Sequence, residues 1–409
     1  KIRKQVEGKI REYQSGFRQS RSVIDQIFTI RQIQEKCLDQ NIELHVLFID
    51  FLQAYDNVNR DMLFKTMREL RLPNKLIQLV KMTLKTTEYQ VRIPEGTSEP
   101  FEVSNGLKQG DPLSSILFNL LLEGVIRKSK VNRADTIINR MHQCVAFADD
   151  VALISRTKQE LIDTTTRLQI EAQKVGLTIN SAKTKYMVMN RVRNIGINYL
   201  TVGEQTYEEV QDFKYLGALI TAEGKQGREI EARIAAGNRC SGGLINVLKS
   251  KVLSRSAKLK IYKTVIKPVV AYACETLTLT KSEERKLNTW ERKILRKIYG
   301  GKQVNGIWER RNNQELRDLY QDADLVASIK TQRLRWLGHV LRMDKERVPI
   351  RLLDGQIQGN RKRGRPKKRW MDAIHEDLAS LGITNWRNTA RNRNDWRRVV
   401  HQALGLQGP

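Results

Sequence analysis

Cysteine is scarce and scattered in this 409-residue chain: Cys37, Cys144, Cys240 and Cys274 form no CxxC pair. Their spacing argues against a disulfide scaffold or a zinc ribbon and fits a reducing compartment. The five histidines make no HxxxH spacing and no His/Cys cluster, so no structural zinc is expected. Long apolar runs are missing too; none approaches the roughly 20 residues that span a bilayer. The stretch from Lys1 to Arg11 lacks the apolar core of a secretory signal, and because Lys1 is not a methionine the N-terminus is expected to be incomplete. Acidic residues are in deficit, 45 Asp+Glu against 73 Lys+Arg, a formal net charge of +28. That field favours a polyanionic partner without naming one. With 40% hydrophobic residues over this length, the chain can bury substantial cores, which rules out a disordered basic tail.

Apolar periodicity organises the chain. Val23, Ile27, Ile30, Ile33 and Cys37 predict an amphipathic helix over 21–38. Residues 45–49 form a short apolar run ending at Asp50, as in a strand covered on both faces. Helices at 61–70 and 74–84 flank Pro73, and strands at 89–93 and 99–103 flank a turn over 94–98. Asp111-Pro112 opens a core helix that runs to about Arg127. Apolar runs at 144–147 and 151–154 enclose Ala148-Asp149-Asp150, a tight hairpin with acids at its tip. A helix over 157–175 stops at Gly176, and strands follow at 185–189 and 213–220. The pattern to about residue 222 is α+β with this hairpin at its centre; beyond it, to residue 300, only helical segments appear. Residues 301–409 hold five of the six tryptophans and 23 Lys+Arg against 12 Asp+Glu. Three consecutive domains are therefore expected, 1–222, 223–300 and 301–409.

Asp50 and the Asp149-Asp150 pair can meet only through the fold. A strand end beside a hairpin tip can gather carboxylates around divalent cations, whose preferred ligands are hard oxygens. Two such ions can activate an attacking hydroxyl and stabilise a leaving phosphate oxygen. Asp-Asp is also an ordinary turn dipeptide, so the pair alone does not decide.

Its context is more specific. Phe147-Ala148-Asp149-Asp150 resembles the xADD signature of reverse transcriptases, and the stretch from Phe48 through Asp50, Phe51, Ala54 and Tyr55 to Asp56 resembles their first palm motif. Between them, Asn105 to Ser114, centred on Gln109-Gly110, looks like the family's QG motif. Gly176 to Thr184 and Phe213-Lys214-Tyr215-Leu216-Gly217 follow in the expected order, and Gln14-Ser15-Gly16-Phe17-Arg18 with Arg21-Ser22 is similar upstream. The ordered set, over residues 11–222, resembles the reverse transcriptase of non-LTR (LINE-type) retrotransposons. Less specifically, Arg335 to Val340 and Gly364-Arg365-Pro366 through Asp372 look like C-terminal regions of such elements.

The resemblance implies a right-hand polymerase palm with partial fingers, an α-helical thumb and a basic helical C-terminal region. It implies an N-terminally truncated enzyme that extends a primer 3′-hydroxyl on an RNA template. Asp50, Asp149 and the Phe51 carbonyl would hold two Mg²⁺ ions, with Mn²⁺ as a substitute and Asp150 as an acidic partner. Tyr55 would be a steric gate against a 2′-hydroxyl; its other role is a core aromatic. Gln109-Gly110 would lie against nucleotide and template, or simply form a helix-entry turn. Lys183, near Lys185, would approach the pyrophosphate or stand solvated. Tyr215, Leu216 and Gly217 would form the primer grip, or a plain turn after a strand. The partners implied are an RNA template, a DNA primer, target DNA and deoxynucleoside triphosphates, with action in the nucleus after cytoplasmic synthesis. A decayed or co-opted nucleic-acid-binding protein is the competing reading.

Arg361, Lys362, Arg363, Arg365, Lys367, Lys368 and Arg369 form a basic strip suited to phosphate binding, nuclear import or minor-groove contact. The tryptophans sit among arginines and lysines, but core packing is expected of them, above all of Trp336 and Trp386.

Overall fold

The computed structural model describes residues 2–85, 87–131, 144–190, 198–357, 359 and 367–405. The chain separates into two compact units. The first comprises 1–216 and 346–362, the second 217–345 and 363–409. This differs from three consecutive domains in two ways: residues 223–300 share one unit with most of the C-terminal region, and a short segment returns to the first unit.

In the first unit, α1 (Val23–Asp39) precedes β1 (Leu44–Ile49), followed by α2 (Arg60–Glu69), α3 (Asn74–Leu84) and α4 (Pro112–Lys128). Next come β2 (Cys144–Phe147), β3 (Asp150–Ser155), α5 (Lys158–Gln173), β4 (Lys185–Met189), β5 (Tyr199–Val202) and β6 (Gln205–Glu209). Side chains set the helix starts: Asn59, Asp111 and Thr157 each accept a bond from a first-turn amide, satisfying donors that the helix itself leaves orphaned. The six strands run in the order β2-β3-β1-β4-β6-β5, antiparallel except where β6 meets β4. Hence the acid-tipped hairpin lies at the sheet edge rather than its centre, and β1, between β3 and β4, is buried throughout, as its unbroken apolar run requires. His45 on this strand is a structural residue, stacked on Tyr186 and hydrogen-bonded to its hydroxyl at 2.5 Å.

β5 and β6 are not evident in the sequence because both are short and half polar, exposing alternate residues. The expected 89–93/99–103 hairpin also pairs differently. Thr87–Tyr89 pairs with Phe101–Val103 and Arg92–Ile93 with Gly96–Thr97, which tightens the turn to Pro94-Glu95.

The segment that returns to the first unit carries a helix, Val348–Asp354, packed on α1. Arg347, just before it, reaches Asp25 at 2.7 Å, with both side chains buried, and Lys36 donates to the Gly355 carbonyl at 2.6 Å.

The second unit is mainly helical, including α6 (Gly227–Gly243), α7 (Lys281–Tyr299), α8 (Leu325–Leu341), α9 (Trp370–Ser380) and α10 (Arg393–Gln402). Two corrections concern its tryptophans. Trp308 lies 73% exposed on a small hairpin instead of in a core, and Trp386 is half-buried against His375. Trp336, Trp370 and Trp396 are buried as expected. Among the described residues, no helix is long and apolar enough to cross a membrane.

Candidate active site

β1 and β3 pair from His45–Ser155 to Ile49–Val151. One step further along this register Asp50 stands opposite Asp150, and opposed residues of an antiparallel pair share a face. Asp150 is the first residue of β3, paired with Phe147, so the turn proper is only Ala148-Asp149. This corrects the three-residue tip expected from sequence. Ala148 takes a left-handed conformation, φ 57°, where an L-residue with a Cβ is strained by about 1–2 kcal/mol.

A buried side chain holds that turn. The Gln14 amide oxygen accepts from the Ala148 N–H at 2.8 Å, and its Nε2 donates to the Ala148 carbonyl at 3.1 Å. The same oxygen takes the Gly16 N–H at 2.8 Å. Ser15 and Tyr13 bridge to Ala146 through their backbones, and Gln26 donates to the Ala146 carbonyl. A Cβ on Gly16 would lie 2.3 Å from the Ala148 nitrogen, so only glycine permits this approach. The motif around Gln14 gives this side chain no role of its own; its partner lies 134 positions away, which no local pattern reveals.

The strand end is fixed from the other side. The Asp50 N–H donates to Thr184 Oγ1, its carbonyl accepts from the Asn180 N–H at 2.8 Å, and the Asn180 side chain donates to the Asp50 carboxylate at 3.2 Å. Leu52 bonds to the Thr178 carbonyl, and Phe51 bridges to Ile179. In this bridge geometry the Phe51 carbonyl points away from the 178–180 segment.

Electrostatics make Asp149 and Asp150 unusual. Burial first, then the nearby Asp50 charge, raises Asp149 above the carboxylate norm, while a bond to its own backbone opposes the shift. Burial, then Asp149 and Asp50, pushes Asp150 up to about 6. Among the described residues no lysine or arginine pairs with any of the three. Nor do three His, Cys, Asp or Glu side chains converge closely enough to hold an ion as they stand. A concentration of hard oxygen donors with repelling charge and no countercharge nonetheless fits a divalent cation, which would lower those pKa values on binding.

The other expected residues are distributed around this centre. Tyr55 is half-buried and stacks on Phe118 with ring centroids 4.6 Å apart; burial and Asp149 raise its hydroxyl pKa. The ring packing fits the core-aromatic role, and Asp149 lies near enough to act on its hydroxyl. Gln109 donates to both Asp56 carboxylate oxygens at 3.1 and 3.2 Å, and Gly110 has φ 87° with open space beside it. Leu107 donates to the Tyr55 carbonyl, so this loop is docked on the Tyr55 turn. Lys183 is exposed and unpaired among the described residues, whereas Lys185 is held by Glu208 at 2.6 Å.

Tyr215 is buried beside Phe48 with no hydrogen-bond partner for its hydroxyl among the described residues. Burial and Asp150 raise its pKa. Its ring is thus interior, leaving the turn at Leu216 (φ 46°) and Gly217 (φ 81°) as the accessible part. Arg361, Lys362, Arg363 and Arg365 lie outside the described residues. Lys367 donates to the Glu223 carbonyl, Lys368 pairs with Glu376, and Arg369 lies 3.7 Å from Asp372.

A family profile described as reverse transcriptase (RNA-dependent DNA polymerase) matches residues 1–220. A putative uncharacterized transposon-derived protein of Caenorhabditis elegans is 24% identical over 265 residues, 63% of this chain and 94% of that protein. The Pol polyprotein of the type-2 retrotransposable element R2DM of Drosophila melanogaster is 28% identical over 193 residues. The probable RNA-directed DNA polymerase of the Drosophila melanogaster transposon X-element is 25% identical over 325 residues. These matches cover 44% and 77% of this chain, but only 18% and 34% of those two proteins.

Proposed function

The chain belongs to the reverse transcriptase family, and we propose that its first unit is an RNA-directed DNA polymerase that extends a primer 3′-hydroxyl with deoxynucleotides. The observation that carries the reading is the meeting of Asp50 with Asp149-Asp150, far apart in sequence, at one uncompensated acidic centre. Asp50, Asp149 and the Phe51 carbonyl would hold two Mg²⁺ ions, or Mn²⁺ in their place, with Asp150 supplementing the charge. When bound, the ions would supply charge neutralisation for the transferring phosphoryl group and acidification of the attacking hydroxyl.

The chain's own residues do the rest. Asn180 and Thr184 orient Asp50, and Gln14 fixes the turn that aims Asp149. Tyr55, stacked on Phe118 beside Asp149, closes the space that a ribose 2′-hydroxyl would need. Gln109 and the side-chain-free Gly110 border the nucleotide and template. Lys183 screens the pyrophosphate, and the turn at Leu216-Gly217 grips the primer through its backbone. Template RNA, primer and target DNA are the macromolecular partners, and a chain acting on chromosomal DNA works in the nucleus.

The test is extension of a labelled DNA primer on an RNA template by the full chain. Extension should require Mg²⁺ and vanish in Asp149→Ala. Activity that survives this substitution overturns the site; no activity in the parent, with nucleic-acid binding intact, favours a non-catalytic binding protein.

A further inference from the structure

In the second unit, the segment from Arg335 to Val340 separates two kinds of residue. Trp336, Leu337 and Val340 are buried, while Arg335, His339 and, one turn further, Arg342 are exposed. The exposed set falls at i, i+4 and i+7, a single stripe along α8 and its end. Gly338 lets α10 cross closely, since a Cβ there would lie 2.1 Å from the Trp396 ring. The Trp396 Nε1 donates to the Leu334 carbonyl at 2.9 Å inside this crossing. From α10, Arg393 and Arg397 stand exposed one turn apart. The two stripes flank a cleft of about 710 Å³.

Its charge is one-sided. Four arginines line it, against one carboxylate, Glu275, and among the described residues none of the four is ion-paired. Arg335 spends one donor on Gln332 and Arg342 one on the Ala390 carbonyl, which leaves most of their guanidinium N–H groups available. Arg342 and Arg393 both line the cleft, and burial, then the like charge of Arg393, lowers the Arg342 pKa. The exposed His339 imidazole, backed by Trp336 with centroids 5.3 Å apart, adds a flat surface. Arg335 and Arg342 lie about 10 Å apart along the helix axis, too far for one phosphate to satisfy. Trp370 donates to the Glu275 carbonyl, so Lys367, Lys368 and Arg369 enter α9 immediately before an anchor on the cleft wall.

We infer that the cleft between α8 and α10 binds the phosphodiester backbone of a single nucleic-acid strand, at a site separate from the acidic centre. Arg335, Arg342, Arg393 and Arg397 each donate to successive phosphates, and His339 offers a face to a base. Binding here needs no polymerisation, so it stands or falls apart from the function proposed for the first unit.

The experiment measures binding of fluorescein-labelled 20-nucleotide single-stranded RNA and DNA by anisotropy across a salt series, using the full chain. Replacing all four arginines with glutamine should lower the slope of log affinity against log salt by about 3, at ~0.7 for each phosphate of a single strand left unneutralised. A second variant that spares Arg342 protects its bond to the Ala390 carbonyl and should lower it by about 2. A control with Lys65, Arg68, Arg71 and Lys75 changed to glutamine removes the same charge from the first unit and should change the slope by less than about 1. Equal losses in control and cleft variants overturn the proposal, as does an unchanged slope. A loss confined to duplex DNA, or to anionic phospholipid vesicles, overturns it in favour of that other ligand.

Discussion

Gln14→Leu keeps the volume of a side chain only 1% exposed and removes every bond it makes. The Ala148 N–H, the Ala148 carbonyl and the Gly16 N–H lose their partner together. At about 1 kcal/mol each, the low end for a stranded buried group, the loss is ~3 kcal/mol. The left-handed Ala148 costs about 1–2 kcal/mol, so the clamp outweighs the strain in the parent and its removal lets the turn relax. Asp149, the next residue, moves with it. A displacement near 1 Å at a reacting centre costs roughly 100-fold in rate, and kcat for primer extension should fall by about that factor with KM for template little changed. All six tryptophans lie in the second unit, so tryptophan fluorescence in urea reports that unit alone and should not shift. Hydrogen exchange over residues 144–155 reports the hairpin and should lose ~3 kcal/mol of protection. Adding Ala148→Gly should restore about 1 kcal/mol, because glycine carries no left-handed penalty. Protection within about 0.5 kcal/mol of the parent in Gln14→Leu, or an unchanged kcat, refutes the clamp.

Three further outcomes follow from the same geometry. Because Asp150 is raised to about 6, Mg²⁺-dependent extension should decline as pH falls through 6. The stabilisation of its protonated form is complete below about pH 4 and lost as pH rises through 6. Asp150→Asn should therefore raise the unfolding midpoint at pH 7.5 and not at pH 4, and equal effects at both would contradict the assignment. Arg347→Met removes the buried ion pair with Asp25, whose carboxylate keeps its bonds at Ser22, and should cost roughly 1–3 kcal/mol in the first unit, partly recovered by Asp25→Asn; calorimetry of the two variants tests this. Tyr55→Val should reduce the preference for deoxy- over ribonucleotides at least about tenfold in kcat/KM, and an unaltered ratio would remove the gate.

The acidic centre was legible because each acid sits in a short motif whose strand or hairpin is locally encoded. Asp50 ends an apolar run, and Asp149 follows a turn residue between two others. What holds those acids was hidden. Gln14, Asn180 and Thr184 act through contacts that exist only once β1, β2 and the segments beside them are assembled. Tyr215 adds a packing role that its motif does not reveal: its ring lies beside Phe48 in the interior. The boundary expected at 222 lies close to the change of unit at 216–217, whereas composition also changes at 300, where the contacts that define the units do not, and the return of 346–362 leaves no local trace.

The returning helix, Val348–Asp354, bears on the order in which the chain can be completed. α1 is buried on nearly every side, including at Arg31, Gln32 and Gln34, and part of that cover is supplied by residues made only after the second unit has been synthesised as far as Lys345. During translation the catalytic half must therefore wait, with the Arg347 partner of Asp25 not yet made and apolar surface open, until its last piece leaves the ribosome. A premature stop between residues 217 and 345 removes the returning helix and so damages the first unit as well, and copies shortened there should be lost to aggregation or proteolysis before they compete for template.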